Sequence, residues 1–353
     1  MKISNSVKPL IKELVQIKYL NMNVADMLLN IYQNEIHPEK EDSLNKEILF
    51  NFLMDYLEMD LSNKENYLLC KEYFLDNIHE CELAKYAGNP YVNAFKGINF
   101  KEKGYELKTL SYAPYQLFPL SDIMIDVSHK FKEFTPTGFL KEEYKYLAIL
   151  KNNKIWMSLN PNEINTMEPH LELANGDILV LGLGLGYFPY MASLKENVKS
   201  ITIVENDKNI IDIFNSHLIS NFKHKDKITI IQYDAVEYLK KHHDFTYIFA
   251  DLWHDPTDGI DLFIKLKKLE TEYSLNISYW LNQSMYAMLR RIALTVLEEA
   301  LLNYDDSKYL KSKDPIDTII NTMYFKSKKI AISNENELNS FLSDSNLISI
   351  LIN

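Results

Sequence analysis

The chain is poor in cysteine, arginine and glycine, and each shortage excludes something. Two cysteines, Cys70 and Cys81, are too few for a disulfide scaffold, so a reduced, cytoplasmic setting is expected. Only two of the 38 basic residues are arginine, the neighbours Arg290 and Arg291, and the formal net charge is −11. Phosphate and guanine recognition favour the planar guanidinium fork, so nucleic acid is a poor candidate partner. No apolar stretch approaches the ~20 residues that cross a bilayer. The richest run, Ile178 to Ala192, carries three glycines and a proline, and no membrane partner is expected. Lys8, Lys12 and Glu13 interrupt what would be the apolar core of a secretory leader. Zinc-ligand spacings, a P-loop and a G-x-S-x-G nucleophile elbow are all missing, so no metal site is expected.

What is present is globular. Apolar residues make up 46% and charged residues 25% of the 353 residues, ordinary values for a folded chain. At roughly 100–200 residues per domain, this length suggests two or three domains. Of the nine glycines, Gly176, Gly182, Gly184 and Gly186 are clustered. Glycine is costly wherever the backbone does not require it, so the cluster marks tight turns and close backbone approach.

Residues 1–97 read as a helical domain. Apolar residues recur at helical spacing from Val7 to Gln33, Ser43 is positioned to cap a helix to Met59, and Ser62 to cap a third running to about Ala84. Asn89-Pro90 and Gly97 break helical order, and Asn89-Pro90-Tyr91 reads as a turn. Residues 98–165 read as a small β-rich segment, with a hairpin turning at Lys151 to Lys154. From 166 to 310 the expected fold class is α/β: a Rossmann-like, doubly wound, mostly parallel sheet. Its strands are Ile178–Leu181, Ser200–Val204, Lys227–Gln232 and Phe245–Ala250, alternating with helices at Tyr187–Lys195, Asp207–Ile219 and Ala235–Lys241. Further helices are expected around Asp258–Glu270 and Asn282–Leu302, and residues 311–353 form a C-terminal α/β extension.

The chemistry-bearing residues fall at strand ends. Gly182, Gly184 and Gly186 follow the first strand, where ligands bind on a parallel sheet. Glu205 closes the second strand, placed to accept both hydroxyls of a ribose unless it is simply solvated. Asp234 follows the third strand, where it could accept from the exocyclic amine of adenine or cap the helix from Ala235. Asp251 closes the fourth strand. A dinucleotide fingerprint would need glycine at position 187, which is tyrosine, so NAD and FAD are disfavoured and an adenosyl ligand without pyrophosphate fits best.

The segments "DILVLGLGLGYF" (Asp177–Phe188), "ITIVENDKNIIDIF" (Ile201–Phe214), "IIQYDAVEYL" (Ile230–Leu239) and "FTYIFADLWHDP" (Phe245–Pro256) resemble the class I S-adenosylmethionine-dependent methyltransferase superfamily, and most of all its spermidine-synthase-like branch. The resemblance covers about residues 155–258. It implies S-adenosylmethionine as cofactor, with Gly182, Gly184 and Gly186 facing its methionine part, Glu205 holding the ribose, Asp234 and Ala235 flanking the adenine, and Asp251 beside the reacting centre. The sequence departs from the aminopropyltransferase D-x-x-D-P: the order here is Asp251-Leu-Trp-His-Asp255-Pro256, one residue longer.

The leading expectation is a methyltransferase acting on a small molecule or peptide, with homo-oligomers possible. The alternatives are an aminopropyltransferase acting on a polyamine, and a non-catalytic binding protein on a relic fold. Asp251, His254 and Asp255 are the candidate catalytic residues, with His254 equally readable as a surface loop residue. Trp253 either walls the substrate pocket or packs in the core. His242-His243 reads as a helix-end cap, and Arg290-Arg291 as a salt-bridge pair on an amphipathic helix.

Overall fold

A computed structural model describes residues 1–39, 44–302 and 314–353. Its centre is a five-stranded parallel sheet: Gly176–Leu181, Val198–Glu205, Ile228–Gln232, Tyr247–Ala250 and Ile277–Tyr279. In space the strands run third, second, first, fourth, fifth. The first strand is apolar from Ile178 to Leu181 and fully buried there, as an interior parallel strand requires. The order reverses between the first and fourth strands, which creates a crevice beyond their carboxyl ends. The fifth strand, three residues long, was not expected from the sequence; it is too short to show a pattern.

The hairpin forms as its polar turn predicts. Tyr144–Lys151 and Lys154–Ser158 pair antiparallel, and Asn152 and Asn153 both take left-handed backbone, which asparagine tolerates best among non-glycine residues. A bulge between Ile155 and Met157 interrupts the register at Trp156. Tyr105–Tyr112 and Phe100–Glu102 complete a four-stranded sheet. The helix Pro161–Leu173, capped by the Asn160 side chain, links it to the parallel sheet.

In the N-terminal third, Lys8–Gln33 forms the long helix and Lys46–Tyr56 the second. The second is capped by Asn45; Ser43 lies outside the described residues. The third helix is shorter than expected. Asn63, not Ser62, caps it, because the Asn63 carboxamide accepts from the Glu65 and Asn66 N–H groups, and it ends at Tyr73. Its expected continuation is a 3-10 turn and the strand Ile78–Glu80, which pairs in parallel with Thr137–Phe139. Asn89 caps a short helix, Pro90–Ala94, where a turn was expected.

Packing ties this third to the rest. Lys18, buried on the first helix, donates to Glu298 at 2.9 Å on the helix Asn282–Leu302. Val7, Ile11 and Leu14 share one continuous core with Leu179 and Ile203 of the sheet. A second core gathers Leu28, Leu49, Leu53 and Tyr73 with Tyr115 and Phe139. The expected helix Asp207–Ile219 is also broken up: its α-helical part is Lys208–Ile213, followed by a π turn, Phe214–Leu218. Beyond residue 313 the chain is mainly helical (Pro315–Ser327, Glu335–Phe341, Asp344–Ile352), and Ala331–Ile332 pairs with Lys2–Ile3. Among the described residues, no helix is long and apolar enough to cross a membrane.

Candidate functional site

A cavity of about 520 Å³ lies at the carboxyl ends of the first, second and fourth strands, a size typical of small-molecule sites. Its floor is the turn from Gly182 to Gly186. All three glycines take left-handed backbone, with φ of +99°, +54° and +75°. A Cβ on Gly182 would collide with the Asp251 carbonyl, and one on Gly186 would enter the Phe214 ring. Those two glycines are therefore required by packing as well as by backbone conformation. A Cβ on Gly184 would meet only the flexible end of the Met157 side chain, its sulfur at 3.2 Å.

Glu205 stands at the end of the second strand and lines the cavity. Its Oε2 accepts from the Leu183 N–H at 3.1 Å and its Oε1 from the Asp207 N–H at 2.7 Å. A carboxylate has about four acceptor positions, so capacity for two hydroxyl donors remains. Asp234 both lines the cavity and caps the following helix, accepting from the Glu237 N–H at 2.9 Å; Ala235 beside it is buried in the wall.

Asp251 and Glu163 bring two further acids to the same cavity. Burial pushes Asp251 up to about 7; nearby His254 opposes the rise and the Glu205 charge adds to it. Burial, followed by the charge of Asp251, holds Glu163 well above the usual carboxylate range. Asp251 therefore titrates near neutral pH, which is the condition of a proton acceptor matched to its working pH.

His254 also lines the cavity, at its exposed edge. Its Nδ1 lies 2.8 Å from Asp258 Oδ2, and its ring sits edge-on to Trp156 with centroids 6.3 Å apart. Asp255 does not join the group. It caps the helix Pro256–Glu272, accepting from the Thr257 N–H at 2.6 Å and taking part in a capping box with Asp258, and it does not line the cavity. The extra residue in Asp251-Leu-Trp-His-Asp255-Pro256 thus separates the acid at the strand end from the acid at the helix start. Trp253 is buried, its indole N–H donates to the Trp280 carbonyl at 3.2 Å, and one of its faces lines the cavity. The Trp280 indole in turn donates to Thr166 at 2.9 Å.

Glu163 escaped the assignment of roles from sequence. It lies in the first turn after the Asn160 cap, where glutamate is favoured for helix-start reasons alone, so its position carries no distinguishing signal. Trp156, Tyr233 and Trp280 line the cavity without having been singled out. Among the described residues, four acidic side chains face this cavity and no lysine or arginine lines it.

The other marked residues lie elsewhere. Arg290 pairs with Asp344 and Arg291 with Glu133. His243 Nε2 lies 2.7 Å from the Leu239 carbonyl at its helix end. Among the described residues, no group of three or more His, Cys, Asp or Glu is placed to hold a metal ion.

No protein-family model matches the chain, and no curated protein does. Among the solved structures similar to part of it are spermidine synthase from Thermotoga maritima and spermidine synthase in complex with the transition-state analogue AdoDATO. Each is 15% identical, with a TM-score of 0.30, and each match covers 43% of this chain and 59% of the other.

Proposed function

We propose that the chain is a group transferase that uses an adenosyl sulfonium cofactor, on a doubly wound Rossmann-like sheet, and alkylates an amine of a small molecule or peptide. The observation that carries this is the cavity itself: a glycine turn and four acidic side chains gathered at one edge of a parallel sheet, with no basic side chain other than His254 among the described residues that line it. Such a lining suits a ligand that is itself cationic. When bound, the cofactor supplies an electrophilic carbon next to a good leaving group.

The residues divide the remaining work. The Gly182–Gly186 turn lets the ligand approach the main chain, Glu205 accepts from the ribose hydroxyls, and Asp234 with Ala235 flanks the adenine. Asp251 takes the proton of the incoming ammonium group and frees its lone pair, a role that needs a group titrating near neutrality. Glu163, held well above the usual carboxylate range by burial and by the charge of Asp251, resists ionising beside it. Trp156, Trp253 and Trp280 wall the cavity and exclude water. Alignment of nucleophile and carbon can supply about 7–11 kcal/mol of barrier reduction in favourable cases.

Methyl transfer from S-adenosylmethionine and aminopropyl transfer from its decarboxylated form both place an amine beside Asp251. The second is favoured by one feature. With Glu205 on the ribose and Asp234 on the adenine, the α-carboxylate of S-adenosylmethionine would be left with Asp251 and Glu163 and, among the described residues, no lysine or arginine in the lining, whereas the decarboxylated cofactor presents only an ammonium group to them. Incubation with each isotope-labelled cofactor and a panel of mono-, di- and polyamines, followed by mass spectrometry, tests the proposal. A labelled methyl or aminopropyl adduct is expected. Binding without any labelled product would leave a non-catalytic adenosyl-binding protein in its place.

A further inference from the structure

The Asn89-Pro90-Tyr91 triplet reads in sequence as a turn, yet the structure buries Asn89 and Tyr91 directly behind the glycine turn of the cavity. Tyr91 is 0% exposed, and its hydroxyl donates to the carbonyl of Leu185, the residue between Gly184 and Gly186. The Asn89 carboxamide performs two tasks. Its Oδ1 accepts from the Tyr91 N–H at 2.9 Å and so starts the short helix, while its Nδ2 donates to the Tyr187 hydroxyl at 3.0 Å. Tyr187 occupies the position at which a dinucleotide fingerprint would need glycine, and it lines the cavity.

Rings close the arrangement. Tyr91 stacks on Phe95 with centroids 4.1 Å apart and meets Tyr187 and Tyr190 edge-on at 5.5 and 5.3 Å. Phe95 and Tyr190 both reach Phe222, which meets Phe214, the ring beneath Gly186. A turn with three left-handed glycines has many alternative conformations in isolation, so something outside it must select one.

We propose that Asn89 and Tyr91 are positioning residues that hold the Gly184–Gly186 main chain and the Tyr187 ring in the form that receives the adenosyl ligand. The N-terminal third of the chain is then part of the binding machinery, although neither residue touches the ligand. The inference rests on the binding role proposed above for the glycine turn. It follows from the geometry that a change confined to one buried hydroxyl should alter affinity at a distance. Tyr91→Phe keeps the ring and its stacking and removes only the donor to Leu185.

The test is calorimetric titration with S-adenosylhomocysteine and thermal melting, run on the full chain and three variants. Tyr91→Phe should weaken binding about tenfold, the usual scale for a buried carbonyl left without its donor. Asn89→Ser keeps a capping oxygen and loses the donor to Tyr187, so it should weaken binding as well, and it serves if Tyr91→Phe does not fold. Tyr73→Phe is the control. Its hydroxyl donates to Asn21 at 3.1 Å in the other core, so it should lower the melting temperature and leave affinity unchanged. If the parent chain binds and Tyr91→Phe and Asn89→Ser bind as well as Tyr73→Phe does, the positioning role is overturned while the cofactor site stands. If the parent chain itself does not bind, both fall.

Discussion

Asp251→Asn separates chemistry from stability. Burial pushes the wild-type carboxyl from its usual 3.8 up to about 7. That difference corresponds to about 4 kcal/mol between the two protonation states, and solvent reaching the half-buried side chain trims it to roughly 2–3 kcal/mol. The sign follows from proton linkage. The folded chain holds this proton more tightly than the unfolded chain. The stabilisation is therefore full below about pH 4 and is lost as the pH rises to about 7. Asparagine cannot ionise. Relative to wild type, Asp251→Asn should gain about 2 kcal/mol of stability on going from about pH 4 to about pH 8, read from urea unfolding at each pH. Over the same range, wild-type turnover should rise through a single ionisation near pH 7. The variant should lose about 100-fold or more in turnover and keep its cofactor affinity. Parallel stability curves for the two proteins would refute the buried, proton-holding carboxyl. An unchanged turnover rate would refute its use as a base.

Two further substitutions check the division of labour among the acids. Glu205→Ala removes the acceptor for the Leu183 and Asp207 N–H groups and, in the proposed binding mode, for the ribose; calorimetry should show adenosyl affinity falling by more than ten-fold. Asp255→Ala removes a helix cap outside the cavity; it should cost about 1 kcal/mol in thermal unfolding and leave turnover unchanged.

The architecture was readable where chemistry and pattern coincide. The apolar run Ile178–Leu181, the clustered glycines and the acids at successive strand ends mark the sheet and its working edge, because a parallel sheet buries its strands and opens at their carboxyl ends. The hairpin was readable because asparagine tolerates the left-handed backbone of a tight turn. What escaped was set by tertiary context. Ile78–Glu80 is three residues long and exists through its pairing with Thr137–Phe139. The π turn at Phe214–Leu218 places Phe214 beneath Gly186, a packing demand without a local signature. Asp255 and Glu163 show the same ambiguity from opposite sides. Both are acids at helix starts, where capping alone explains an acid; one caps a helix outside the cavity and the other faces into it. Tyr91 reads as part of a turn because its partner, the Leu185 carbonyl, lies 94 positions further along the chain.

The most direct measurement is a titration of the purified chain with S-adenosylhomocysteine, followed by heat release and by melting temperature. Saturable binding at one site per chain, with a melting temperature that climbs with ligand concentration, is the expected result. No heat and an unmoved melting temperature at millimolar ligand would contradict the adenosyl site and, with it, the transferase.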